Sequence, residues 1–334
     1  MEDYTNLFNE KFGFEVFQTC SNGQVKKRCP ECNHKSLSCN ILVGVYNCFQ
    51  CSYSGKLETQ EKINIVPPKK KFSQKLQTEI LQFILDNSVL KPSHRLYLQK
   101  SGVLYPEKWN VKSVPANLRL LLKDYTDKQL LKSGLYKDNG NGVTVPTGAL
   151  STDNIIIPYY YNGRLVAGKT RSVILTTVSK YKYMCFNESP VLDYVYDCTI
   201  PNRKTLIITE GEKKAMVANA YGFSTVAFGG MSFTKKSIKS LKEVIKKHNI
   251  DRLFIILDKD EDFLGSKSAK IQACKLYEEF KKIGCIVFLD LNNPEKVGLD
   301  DFLLSHSALD LESILESNWI TREKDYIKWK AQIS

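Results

Sequence analysis

The chain has no apolar run approaching the ~20 residues a membrane-spanning helix needs. Its opening stretch, "MEDYTNLFNE", is acidic where a secretory signal would be basic. Both absences lead to the expectation of a cytoplasmic protein without membrane contact, in a bacterial or viral setting. Negative charge is also in short supply: 36 Asp and Glu stand against 48 Lys and Arg, a formal net charge of +12. Such a surplus favours a polyanionic partner, because each phosphate that is neutralised releases counterions. At 334 residues, with 43% hydrophobic and 25% charged, the chain reads as globular and long enough for two or three domains.

Cysteine is plentiful but uneven. Six of the ten lie in the first 51 residues (Cys20, Cys29, Cys32, Cys39, Cys48 and Cys51). Cys29-x2-Cys32 and Cys48-x2-Cys51 are separated by fifteen residues, which is zinc-ribbon spacing. Each CxxC turn aims two thiolates at one point, and two such turns close a tetrahedral shell. A closed four-sulfur shell makes the zinc structural. A disulfide or redox reading lacks a secretory signal and does not explain two matched pairs. Cys20, His34 and Cys39 are spare candidate ligands and read as bystanders. Lys26, Lys27 and Arg28 flank the knuckle, and Tyr46, Phe49 and Tyr53 are candidates either for base stacking or for the ribbon's small core. Cys185, Cys198, Cys274 and Cys285 sit among apolar residues and read as buried thiols in a reducing compartment.

"LETQEKINIVPPKKKFSQ" has paired prolines, three lysines and no apolar periodicity, and reads as a tether. Beyond it, Leu76, Ile80, Leu81, Ile84 and Leu85 recur at helical spacing. Two short helices follow, closing near Gly102 and Gly134. "DNIIIPYYYNGRLVAGKTRSVILTT" predicts a hairpin turning at Asn162-Gly163. Gly163 to Thr170 matches G-x-x-x-x-G-K-[ST] letter for letter. A phosphate loop must open a helix, however, and this stretch leads into β-rich sequence. Lys169 and Arg171 alternate along the strand and share a face, which would suit phosphate contact.

From residue 204 strands and helices alternate, which predicts a compact parallel sheet. Ligands of such sheets sit at the carboxyl ends of the strands. Glu210 follows the first strand in "TLIITEGEKK", Asp258 and Asp260 follow the third, and Asp300 and Asp301 come after the fourth. Carboxylates gathered there repel unless a cation joins them, and hard oxygen ligands suit Mg²⁺ or Mn²⁺.

Glu210-Gly211 followed by Asp258-x-Asp260 resembles the Toprim domain of primases, topoisomerases and some nucleases. "YTDKQLLKSGLYKDNGNG", "DNIIIPYYYNGRLVAGKTRS" and "KYKYMCFNESP" resemble successive blocks of the DnaG-type primase core, and the zinc ribbon precedes them as in that family. The resemblance runs over nearly the whole chain and is closest to stand-alone phage primases. It implies an α/β fold: a zinc ribbon over 1–57, a linker over 58–75, an α+β N-terminal subdomain of the polymerase core over 76–203, a Toprim sheet with flanking helices over 204–305, and a helical tail over 306–334.

It further implies zinc at Cys29, Cys32, Cys48 and Cys51, and magnesium or manganese at Glu210, Asp258 and Asp260 with Asp300 or Asp301. Lys169, Arg171 and Lys182 would bind nucleotide or template phosphates. The implied activity is synthesis of short RNA primers from ribonucleoside triphosphates on single-stranded DNA, beside a replicative helicase acting in trans. The chain departs from the family where the latter often has an acid four residues after the first glutamate: here Lys214 stands. Its four-cysteine set also replaces a shell that usually includes histidine. Rival readings are a Toprim nuclease, a non-catalytic zinc and Toprim DNA-binding protein, and, less compatibly, a topoisomerase or a P-loop ATPase.

Overall fold

The computed structural model describes residues 4–16, 18–19, 23–48, 50–51, 53–57, 72–173, 183–187, 189–230, 233–258, 263–289 and 298–333. The chain divides into two compact units, residues 1–70 with 260–268 and residues 71–259 with 269–334.

In the first unit, helix α1 (Thr5–Phe12) precedes an antiparallel sheet of five strands in sequence order: β1 (Gln18–Thr19), β2 (Gln24–Lys27), β3 (Leu37–Asn40), β4 (Val45–Cys48) and β5 (Ser54–Lys56). Its core is small. Phe8, Val25, Leu37, Cys39 and Tyr46 are buried beside Cys29, Cys32 and Cys48. So few apolar side chains do not support an independent fold without a metal or a similar clamp. The predicted tether lies mostly outside the described residues, which resume at Phe72.

The second unit opens with α2 (Gln74–Asp86), whose first turn is capped by the Ser73 hydroxyl accepting from Leu76 N–H. Its Ile80, Leu81, Ile84 and Leu85 are buried, as the spacing predicts. After α3 (Pro92–Lys100), β6 (Lys112–Ser113), α4 (Leu118–Leu121) and α5 (Asp127–Ser133) come the paired strands β7 (Tyr136–Asp138) and β8 (Thr144–Pro146). Helix α5 starts on a Thr126–Gln129 capping box and ends at Gly134 in the left-handed region. A four-stranded antiparallel sheet is then built around the hairpin of β9 (Asn154–Tyr161) and β10 (Arg164–Ser172), flanked by β6 and by β11 (Tyr183–Cys185).

Asn162 and Gly163 both take positive φ, 50° and 75°, as a tight primed turn requires. The G-x-x-x-x-G-K-T stretch is therefore a hairpin turn and a strand, which runs on to Ser172 without a helix among the described residues. Ile155, Ile157 and Tyr159 pack to one side of this sheet, and Ile156 packs to the other with α2 and α5. The apolar run is continuous because both faces are covered.

The last sheet contains β12 (Val195–Cys198), β13 (Thr205–Glu210), β14 (Thr225–Phe228), β15 (Arg252–Ile255) and β16 (Gly284–Ile286), in the order β12-β14-β13-β15-β16. Four strands are parallel, as predicted. The fifth, β12, pairs antiparallel with β14 and comes from before residue 204. Alternation along β13 sends Ile207 toward α6 (Glu212–Ala220), α9 (Leu299–Ser305) and α10 (Ala308–Ile333). Leu206 and Ile208 face α7 (Lys235–Lys247) and α8 (Phe263–Glu279). Burying each such side chain contributes about 1.5–3 kcal/mol.

The C-terminal helix is not a loose tail. Leu311 and Leu315 enter the core, and Tyr326 stacks on Tyr277 with ring centroids 4.4 Å apart. Cys198, Cys274 and Cys285 are buried as predicted, whereas Cys185 is exposed, because edge strand β11 is paired on its β10 side alone among the described residues.

Candidate functional site

The zinc-type site comes directly from two turns. Cys29 C=O accepts from Asn33 N–H, Cys29 N–H donates to His34 C=O, and Asn33 takes the positive φ the knuckle needs. The sulfurs of Cys29, Cys32, Cys48 and Cys51 all lie within 4.8 Å of one another. Two of the separations are 3.6 Å. Four sulfurs at ~2.3 Å from a tetrahedral ion would stand about 3.8 Å apart, so the set fits zinc. The Cys48 thiol is lowered to about 7: burial opposes its ionisation, but donation from the Ser36 hydroxyl and the Cys51 and Gln50 backbone outweighs that.

The spare candidates take other places. His34 turns Nδ1 to Cys32 C=O, and Cys39 is a core thiol pushed up to about 11 by burial. Cys20 lies outside the described residues, as does Phe49. Tyr46 and Tyr53 pack on each other and on Phe12, so they form the ribbon's core rather than an open stacking surface. Lys27 is buried and donates to Asn9 Oδ1 and Gly13 C=O at the end of α1, away from the role its position beside the knuckle suggested.

The second site lies where the parallel sheet changes direction. The chain runs from β13 to β14 on one side and then crosses to β15 on the other, which leaves a crevice at the carboxyl ends of β13 and β15. Glu210 ends β13, and its Oε1 accepts from Asp258 N–H at 3.2 Å, just past β15. Asp258 and Asp300 are both buried. Their Oδ1 atoms converge on one point, 3.1 and 2.8 Å from where a Cβ on Gly298 would sit. Their other oxygens are held by lysines of α6. Lys214 Nζ lies 2.5 Å from Asp258 Oδ2, and Lys213 pairs with Asp300 Oδ2.

Asp301 points elsewhere. It is exposed and accepts from Gly298 N–H at 3.1 Å, capping α9. Of that pair, Asp300 is the one whose carboxylate shares the Gly298 position with Asp258. Asp260 and Lys182 lie outside the described residues.

Whether this group suits a divalent ion can be judged from its atoms. Asp300 Oδ1 is buried and receives no hydrogen bond. A buried carboxylate oxygen without a donor is costly unless a cation meets it. The two Oδ1 atoms are hard oxygen donors of the kind Mg²⁺ or Mn²⁺ takes, and with Lys214 Cε they crowd the space a Cβ on Gly298 would fill; among the described residues, the four cysteines are the one group of three or more candidate ligands that gathers as a metal site would.

Lys169 and Arg171 share a face of β10, as the alternation predicts, and both are buried. Lys169 Nζ donates to Glu212 Oε1 at 3.0 Å and to Gly229 C=O at 2.9 Å. Arg171 lies against Tyr97 and donates to its hydroxyl at 2.9 Å. Glu212 also accepts from the Tyr159 hydroxyl. Burial first, and then the Glu212 charge, hold that phenol well above its ordinary pKa, so it stays a donor. Glu212, Lys213 and Gly298 were missed in the sequence, where Glu212 and Lys213 look like the solvated first turn of a helix. The clue available was the unbroken cluster Glu210-Gly211-Glu212-Lys213-Lys214 behind a buried strand.

A family profile described as a domain of unknown function (DUF3854) matches residues 196–309, the span that holds Glu210, Asp258 and Asp300. No curated protein matches the sequence. Among solved structures, the zinc-binding and RNA polymerase domains of the Aquifex aeolicus primase are similar at 17% identity and a TM-score of 0.56, over 94% of this chain and 83% of that one. The E. coli primase catalytic core is similar at 17% identity and TM-score 0.56, over 73% of this chain and 79% of that one. A DnaG primase catalytic domain bound to single-stranded DNA is similar at 16% identity and TM-score 0.57, over 73% of this chain and 80% of that one. The chain has the fold of the DnaG primase zinc-binding and RNA polymerase domains.

Proposed function

We propose that the protein is a primase that joins ribonucleotides into short RNA primers on single-stranded DNA. The observation that carries this reading is the placement at the switch edge of the parallel sheet of Glu210, which accepts from the Asp258 backbone, and of Asp258 and Asp300, whose Oδ1 atoms both face Gly298. That edge sits in a chain whose ribbon and core together follow the primase fold over 94% of its length. Asp260 would complete the acidic set two residues beyond Asp258. In this reading Asp300 belongs to the metal-binding group and Asp301 is a helix cap.

A divalent ion held there would supply positive charge to the triphosphate and to the pyrophosphate leaving group. Glu210 braces the backbone at Asp258 and so fixes that carboxylate's direction. Lys169 and Arg171 contribute positive potential from buried positions, already oriented by Glu212 and Tyr97, and Lys182 adds to it. Orientation made during folding needs no rearrangement when substrate arrives. The zinc ribbon engages template, and a replicative helicase would act in trans.

The test is to incubate the zinc-loaded protein with mixed-sequence single-stranded DNA, four labelled ribonucleotides and Mg²⁺ or Mn²⁺, beside Asp258→Ala and Asp300→Ala. Short oligoribonucleotides from the wild type alone are expected. Degraded template would favour a nuclease on the same carboxylates. DNA binding that survives both substitutions, with neither product formed, would favour a non-catalytic binding protein.

A further inference from the structure

Helix α7 carries six lysines and one glutamate in its 13 residues, and so supplies five of the chain's surplus of twelve positive charges. Lys235, Lys239, Lys242 and Lys246 follow one another at intervals of four, three and four. This sets them in one exposed stripe about 16 Å long, while Leu241 and Val244 turn into the core. Like charges at these intervals destabilise a helix. Lys242 meets Glu279, but no carboxylate meets Lys235, Lys239 or Lys246 among the described residues. A groove runs beside the stripe. Glu243 and Lys247 of α7 wall its outer end, and it then passes Tyr160 and Trp109 to end at Tyr105, beside Ala220 of α6. Lys246 precedes the groove-lining Lys247, so the stripe lies about 100° round the helix from the groove wall. The rings are held in place: Asn110 Nδ2 donates to the Tyr160 hydroxyl at 2.7 Å, and Lys108 Nζ lies 4.9 Å from the centroid of the Trp109 ring. The acids of the groove are engaged, Glu243 by the Tyr161 hydroxyl and Asp197 by Thr199 N–H. The groove reaches the last turn of α6, whereas Asp258 and Asp300 meet its first turn.

We propose that the α7 lysine stripe and the groove beside it form a second nucleic-acid surface, which holds single-stranded DNA away from the carboxylate edge. Lysines spaced along a helix neutralise successive phosphates, and rings lining a groove give unpaired bases faces on which to stack. A duplex keeps its bases stacked on one another and would use the lysines alone. The occupant is the template. It is the one strand of the proposed reaction present before any product forms, and it is long enough to pass the carboxylates and reach the groove. That choice of strand rests on the primase reading above; the second contact goes beyond it.

The measurement is fluorescence anisotropy of a labelled oligothymidylate with the zinc-loaded full chain, over a salt series, without nucleotides or added Mg²⁺. Lys235→Gln, Lys239→Gln and Lys246→Gln combined should reduce the slope of log affinity against log salt by about 2. Tyr160→Leu should weaken binding about tenfold and leave the slope unchanged. Tyr105→Ala, at the exposed end of the groove, repeats the ring test should Tyr160→Leu unfold. An unchanged slope in the lysine variant, with unchanged affinity in the ring variants, would overturn the surface. A reduced slope with no ring effect, and duplex DNA bound as tightly as the single strand, would overturn the single-strand assignment. Tighter binding of oligouridylate than of oligothymidylate would overturn the choice of template. Both expected effects in a protein that makes no primer would support the surface and overturn the primase reading.

Discussion

Lys169→Met separates what β10 does for the fold from what it does for chemistry. The Lys169 and Glu212 side chains are 7% and 0% exposed and lie 3.0 Å apart. Methionine keeps the length and apolar stem of lysine and removes the charge. It leaves the Glu212 carboxylate buried with the Tyr159 hydroxyl, and it deprives Gly229 C=O of a donor. Removing one partner of a buried pair costs about 3–5 kcal/mol. For a unit of this size that corresponds to roughly a 10 °C fall in Tm.

Glu212→Gln added to Lys169→Met removes the stranded charge while keeping an acceptor for Tyr159. The double variant should therefore recover about 1.5–3 kcal/mol relative to additivity. Urea unfolding followed by tryptophan fluorescence reads the right unit, since Trp109, Trp319 and Trp329 all lie outside the ribbon. A cost below about 1 kcal/mol for Lys169→Met, or strictly additive costs, would refute the buried-pair reasoning. Primer synthesis by the double variant then decides the second question. Recovery of stability without activity would assign the lysine charge to phosphate binding, and recovery of both would make it a structural ion.

Three further outcomes are expected. Cys48→Ser should lose one equivalent of zinc by elemental analysis and unfold the ribbon while the tryptophan-bearing unit keeps its transition, because structural zinc supplies about 10–16 kcal/mol to such modules. Gly168→Ala should destabilise by about 1–3 kcal/mol in the same urea assay, since its Cβ would meet Leu81 Cδ2 at 2.5 Å and Phe186 at 3.0 Å; a variant as stable as wild type but weak for nucleotide would restore the phosphate-loop reading. His94 is buried, with its Nδ1 in a hydrogen bond to the Ser113 hydroxyl at 2.9 Å. Burial, then the Lys91 charge, lower its imidazole from the ordinary 6.5. The folded state then binds fewer protons than the unfolded state, so this contribution is present above 6.5 and is lost as pH falls through and below it. Stability of His94→Gln should consequently vary less with pH between neutral and mildly acid conditions, and an unchanged profile would count against the assignment.

The features legible in the sequence are those carried by local spacing. The two CxxC turns, the Asn162-Gly163 hairpin, the α2 stripe and the strand-end acids each need only a few consecutive residues to declare themselves. Strand β12 was not legible as part of the parallel sheet, because its membership is decided by pairing with β14, some thirty residues on. The choice between Asp300 and Asp301 was equally closed. Adjacent residues on a helix point about 100° apart, and which one faces the crevice depends on how α9 is docked. Burial of Lys169 and Arg171 was hidden for the opposite reason. Alternation correctly gave them one face, but a basic face reads as solvated until Glu212 and Tyr97 are seen to meet it.

The lysines of α6 show why a strand-end acid motif does not by itself fix the charge of a site. Glu210 and Asp258 are neighbours through the pairing of β13 with β15, and Asp300 is added by the docking of α9. Their charge balance is set by residues whose sequence signal is the charged run Glu212-Lys213-Lys214 after a glycine, with Lys214 standing where the resembled family often has an acid. Lys213 and Lys214 are two of 48 basic residues in a chain with a surplus of twelve positive charges, and composition predicts that most of these face solvent or phosphate. Two of them instead point inward, because the first turn of α6 begins beside the Glu210 strand end and carries their side chains across the crevice to Asp258 and Asp300. Lys213 and Lys214 thus offset part of the carboxylate charge that Asp258 and Asp300 bring to the crevice, which a surplus of basic residues read from composition does not reveal.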